Sequence, residues 1–151
     1  MKQLYIFIAT LIIYLTAFNF NASAQWTSMY DINNGLPYLN TGQYAVWFIN
    51  PDTGFVANGL DNNSANIYKT FDGGLTWTVA LDSTFIGGTI YSFFFLNSNT
   101  GYASAQKGKI FKTTNGGNHW DMLSFSTIPA NVSITDICFT SADTGFITTK
   151  G

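Results

Sequence analysis

Ile67-Tyr-Lys-Thr-Phe-Asp-Gly-Gly-Leu-Thr-Trp77 returns 43 residues later as Ile110-Phe-Lys-Thr-Thr-Asn-Gly-Gly-Asn-His-Trp120. The reading of this pair decides the fold. In each copy a short apolar run enters a Gly-Gly pair and a second run leaves it, which is hairpin chemistry. A second repeated element lies upstream. Phe48-Ile-Asn-Pro-Asp-Thr-Gly-Phe55, Phe95-Leu-Asn-Ser-Asn-Thr-Gly-Tyr102 and Phe139-Thr-Ser-Ala-Asp-Thr-Gly-Phe146 each place Phe six positions before Gly and an aromatic. Their Phe residues are 47 and 44 positions apart. The x-Asp/Asn-Thr-Gly stretch reads as a tight turn. There Asp52, Asn99 or Asp143 would bond its own backbone, and Gly54, Gly101 or Gly145 would supply positive φ.

Working outward, each full repeat yields four short strands. The pattern predicts strands near 43–49, 54–58, 66–70 and 75–80, then 89–96, 101–105, 109–113 and 118–124, then 134–140 and 145–149. Four antiparallel strands every 40–50 residues or so make one blade of a β-propeller. The predicted class is therefore all-β, with blades at 43–80, 89–124 and 134–151, and residues 25–30 as a possible closing strand around Trp26. The 17% aromatic and 9% charged content suits aromatic cores between stacked sheets. A ring needs about 4–8 blades. Two and a half blades do not close, so the chain is expected to be an N-terminal fragment of a longer protein.

Thr70, Asp72, Gly74, Thr76 and Trp77 match every position of the pattern Ser/Thr-x-Asp-x-Gly-x-Thr-Trp, and the segment resembles an Asp box. Thr113 to Trp120 is a degraded copy, with Asn115 for Asp and His119 for Thr; it keeps Gly117 and Trp120. Asp boxes mark bacterial neuraminidase (BNR) repeats, sortilin-type receptors and some glucanases. The longer pattern with Ile-Tyr/Phe-Lys-Thr before Gly-Gly is most similar to the photosystem II assembly and stability factor-like repeat family. The resemblance spans residues 25–151 and implies a propeller in which the box is a structural turn. Asp72 would accept turn amides, and Trp77 and Trp120 would pack between strands. In that family partner binding is attributed to the ring surface, where an arginine patch is expected. This chain has no Arg.

The chain opens with Lys2, an apolar stretch from Leu4 to Phe18, and Ala22-Ser23-Ala24. That pattern reads as a secretory signal peptide over 1–24, with cleavage expected after Ala24. Its apolar stretch falls short of the ~20 residues that span a bilayer. No later run is long enough to do so, and an exported product, secreted or held at the cell surface, is expected. The signal, composition and repeats look bacterial.

Composition narrows the chemistry. All six basic residues are Lys and all eight acids are Asp. There is no arginine clamp and no Glu for acid-base work. Net charge of -2 argues against a nucleic-acid face. One His and one Cys cannot build a zinc site. Calcium at Asp72 would need six or more oxygen ligands. No cofactor and no metal are expected.

Asp136, inside the apolar run Ser133 to Phe139, is the best acid candidate. Apolar neighbours would raise its pKa. Cys138, between Ile137 and Phe139, reads as a buried thiol. His119 and Asp121 can share a strand face, but no nucleophile accompanies them. The leading expectation is a non-enzymatic binding or scaffold module for a protein or glycan ligand. The alternative is an exported Asp-box glycan hydrolase, sialidase-like or glucanase-like, with its catalytic residues largely in blades beyond residue 151. A sialidase is disfavoured, because neuraminidases hold the substrate carboxylate with three arginines. A third expectation is a surface receptor-like propeller with a downstream anchoring domain.

Overall fold

The computed structural model describes residues 43–59, 65–81, 88–123 and 125–151. The expected signal peptide, its cleavage point at Ala24 and the strand proposed at 25–30 lie outside the described residues. Ten strands follow in chain order. The first sheet holds β1 (Gln43–Phe48), β2 (Gly54–Asn58), β3 (Ile67–Thr70) and β4 (Thr78–Leu81). The second holds β5 (Ile90–Phe95), β6 (Gly101–Ala105), β7 (Ile110–Thr113) and β8 (Asp121–Leu123). β9 (Ser133–Phe139) and β10 (Gly145–Lys150) form a two-stranded third. Each sheet is an antiparallel meander in sequence order. Among the described residues there is no helix.

The fourth strand of each full sheet starts three residues later than the pattern predicts, at Thr78 and Asp121. The Gly-Gly pair is not a two-residue hairpin. Residues 71–77 and 114–120 form a wider turn held by side chains.

The Phe-x5-Gly spacing is a cross-strand pair. Phe48 faces Gly54, Phe95 faces Gly101 and Phe139 faces Gly145. The Phe ring lies across the bare Cα. A Cβ on Gly54 would stand 2.6 Å from the Phe48 ring, one on Gly101 2.5 Å from Phe95, and one on Gly145 2.7 Å from Phe139. These glycines are therefore selected by close approach, and the expectation of positive φ at these positions is corrected: none of the three has it. The side chain that organises this turn also differs from the expected one. Asn50 Oδ1 accepts the amides of Asp52 and Thr53, Asn97 Oδ1 those of Asn99 and Thr100, and Ser141 Oγ those of Asp143 and Thr144.

Every first strand carries one extra residue opposite its partner: Tyr44 in β1, Tyr91 in β5 and Thr135 in β9. A bulge shifts the period-2 alternation by one. This explains why Ile134 and Ile137 are both buried while Asp136 and Cys138 are exposed. The expected buried thiol of Cys138 is thus corrected. Cys138 holds the register of Trp47 and Phe94, which rest on the next sheet; no described sheet follows the third.

The core lies between sheets. Phe55 of the first sheet stacks on Phe95 at 4.9 Å and meets Phe93 and Trp120. Trp47 packs on Phe94 and Phe95. At the next junction Tyr102 stacks on Phe139 at 4.2 Å, above Ile134 and Ile137. The fully buried members, such as Phe55 and Ile134, each contribute roughly 1.5–3 kcal/mol, and the half-buried ones contribute less. The incoming face of the first sheet is bare by contrast. Val46 and Phe48 are 62% and 42% exposed, whereas their equivalents Phe93 and Phe95 are 4% and 8% exposed.

Candidate functional site

Two places gather the residues that the sequence singles out: the Gly-Gly turns and a groove along the first strands. In the first turn Thr70 Oγ1 accepts the amides of Gly74 at 2.9 Å and Asp72 at 3.3 Å. It donates to Asp72 Oδ1 at 2.7 Å. Asp72 also accepts the Thr76 amide at 2.8 Å and the Thr76 hydroxyl at 2.5 Å. Those Thr76 bonds, with Thr70, hold its carboxyl at about 2, below the ordinary 3.8, because they favour the ionised form. Trp77 is buried and donates Nε1–H to Gly74 O at 3.0 Å. Gly73 and Gly74 both have positive φ. Gly73 N–H donates to Asp52 O, which ties this turn to the one between β1 and β2.

The second turn repeats the frame. Thr113 Oγ1 accepts Gly117 N–H at 2.8 Å and donates to Asn115 Oδ1. Asn115 Oδ1 accepts the His119 amide at 2.9 Å. His119 and Asp121 share a face and pair at 3.2 Å, but both side chains are largely exposed, and such pairs contribute little. Trp120 is buried, and its Nε1–H finds no acceptor among the described residues.

The lysine of each Ile-x-Lys-Thr run is a residue that sequence reasoning missed. Lys69 is buried, and its ammonium crosses to the second sheet. It donates to Gly116 O at 2.6 Å and to Asn118 Oδ1 at 2.8 Å. The charge also sits over the Phe71 ring at 4.4 Å. Burial lowers its pKa. The repeated Lys-Thr before Gly-Gly was the available signal. Lys112, its equivalent, lies over Tyr102.

The groove is lined by β1, β5 and β9, which run side by side where the sheets meet. Its volume is about 470 Å³. Trp47, Tyr91, Phe94 and Cys138 supply much of its wall, with Ser92 and Asp136 as polar groups. Ala45, Ser92 and Asp136 hold the same register, directly after each bulge. Ser92 Oγ donates to Asp136 Oδ1 at 2.6 Å, and the Ile137 amide donates to the same oxygen at 2.9 Å. Asp136 is exposed, so the apolar enclosure anticipated for it is absent. Among the described residues it is the only carboxylate lining the groove, and no group of three or more metal-binding side chains occurs.

No family model matches the chain, and no curated protein does. Solved structures do. One, YCF48 bound to D1 peptide, shares 20% identity at a TM-score of 0.55, over 71% of this chain and 34% of that one. Another, YCF48 from Cyanidioschyzon merolae, shares 17% identity at a TM-score of 0.58, over 85% of this chain and 39% of that one. The chain thus spans between a third and two fifths of these neighbours' length. The likeness establishes a propeller-like fold, the architecture implied by the resemblance to the assembly factor-like repeats.

Proposed function

We propose that this chain belongs to an exported propeller scaffold that binds a segment of another protein along the groove of β1, β5 and β9. The carrying observation is the groove itself. Three bulged first strands in equivalent register present aromatic walls and one oriented carboxylate to solvent. Propellers host unrelated activities, so the reading rests on this site and not on the fold. The peptide in the YCF48 structure is supporting company for a protein ligand. A glycan hydrolase would need a second carboxylate at a defined distance from the first; the described residues lend that reading no support. Export rests on Lys2, the apolar run and Ala22-Ser23-Ala24. The bare faces at Val46 and Phe48, and at Phe146 and Ile147, support further blades on either side.

The test is a random peptide array probed with the full chain and with Ser92→Trp, which fills the groove. Peptides should bind the parent and lose binding in the variant, with an unchanged melting temperature. Equal binding by both would sink the groove as the site. Mass spectrometry of the exported product should give Gln25 as the first residue.

A further inference from the structure

The geometry points to a basic side chain, Lys or Arg, as the part of the protein partner seated at Asp136; this rests on the groove being the binding site. One carboxylate oxygen, Oδ1, is fixed by the Ser92 hydroxyl and the Ile137 amide. Those two donors set the orientation of the group and leave Oδ2 without a hydrogen-bond partner among the described residues. Among the described residues no lysine lines the groove, so none of them supplies a cation to the charge there. The walls beside it include the rings of Trp47, Tyr91 and Phe94. Aromatic faces attract a cation, Trp most strongly. A carboxylate next to such faces suits an ammonium or guanidinium with an aliphatic stem, which can lie along the rings while its head reaches the oxygen. A partner's acidic side chain would meet repulsion there, and a neutral donor would hydrogen-bond the carboxylate without the added attraction of opposite charges.

The position is specific within the repeat. Ala45 and Ser92 hold the same register in the first and second sheets, and neither carries charge. The second sheet supplies the hydroxyl that aims the third sheet's acid. The cation site therefore exists at one junction only among the described strands.

The experiment uses four pools of pentapeptides, random except for a central Lys, Arg, Gln or Glu, titrated against the full chain and its Asp136→Asn and Ser92→Ala variants. Asn keeps an acceptor oxygen for Ser92 and Ile137, so Asp136→Asn should fold. The Lys and Arg pools should bind the parent up to about fivefold tighter than the Gln pool, as an ion pair on an exposed carboxylate implies, and the Glu pool weakest. Asp136→Asn should bring Lys, Arg and Gln to one level. Ser92→Ala should weaken the Lys and Arg pools and leave Gln unchanged. If all pools bind the parent alike, or Asp136→Asn keeps the preference, the inference is overturned while the groove reading stands. If no pool binds at all, both fall.

Discussion

The two Gly-Gly turns share one frame and differ in what rests on them. In both, a Thr hydroxyl accepts the amide of the second Gly, and an Asp or Asn oxygen accepts the amide four residues on. Above Gly117 lies the ring of Phe55 from the preceding sheet; a Cβ there would stand 2.2 Å from it. Above Gly74 the nearest atoms belong to its own sheet, Trp77 at 3.4 Å and Phe48 at 3.9 Å. The carbonyl of Gly116 receives a buried ammonium from the first sheet. The lesson is that one glycine serves two purposes. It permits the turn, and it forms the socket for the neighbouring sheet.

The hardest strain on this comparison is Gly→Ala at each turn. At Gly117 the substitution meets both a φ of 77° and the Phe55 ring. Left-handed strain of about 1–2 kcal/mol adds to overpacking of about 1–3 kcal/mol. At Gly74, φ is 93° and the added Cβ would meet its neighbours at ordinary contact distance, so only the strain should appear. Denaturant midpoints of the two variants should separate clearly, with Gly117→Ala the less stable. Equal losses would show that the socket contributes nothing.

A smaller effect is expected from the lysines. Lys69→Met removes the donor from Gly116 O and Asn118 Oδ1 and should cost about 1–3 kcal/mol. Lys112→Met, where no such acceptor is described, should change stability by within about 0.5 kcal/mol. Paired thermal melts check the contrast, and a reversed order would show that the Lys69 bonds to the second sheet do not stabilise the junction.

The smallest effect separates Asp72 from Asn115. The native carboxyl of Asp72 lies at about 2, against an ordinary 3.8. Its contribution is complete above the ordinary value and is lost as pH falls through that window, because the unfolded chain takes up the proton first. Asp72→Asn should remove this part of the acid sensitivity. The second turn, built on Asn115, contributes none. Melting temperature followed from pH 5 down to 2 in parent and variant should show the two curves converging in acid.

Strand order and blade spacing were legible because the aromatic runs and Gly turns recur at nearly constant intervals. The deviations share local causes. The bulge at Thr135 reverses the alternation that a strict period of two would give, which turned Asp136 and Cys138 outward. Nothing in Ser133 to Phe139 marks the bulge from composition alone. The meaning of Gly54, Gly101 and Gly145 was hidden because glycine signals both turns and close approach. Only cross-strand pairing with Phe48, Phe95 and Phe139 tells them apart. The groove was invisible because it assembles one strand from each repeat, and no single repeat contains it. Lys69 was missed for the same reason, its acceptors lying 47 and 49 residues away.

That lysine has a consequence for how the molecule assembles. It grows from β3 yet completes the hydrogen bonding of a turn in the next sheet, while Phe55 fills that turn's socket. The second turn is thus finished only when the first sheet is in place. The cooperative unit of folding is then the junction and not the repeat, offset by half a period from the unit visible in the sequence. In a chain of nearest-neighbour couplings of this kind, weakening one junction should split a single unfolding transition into two.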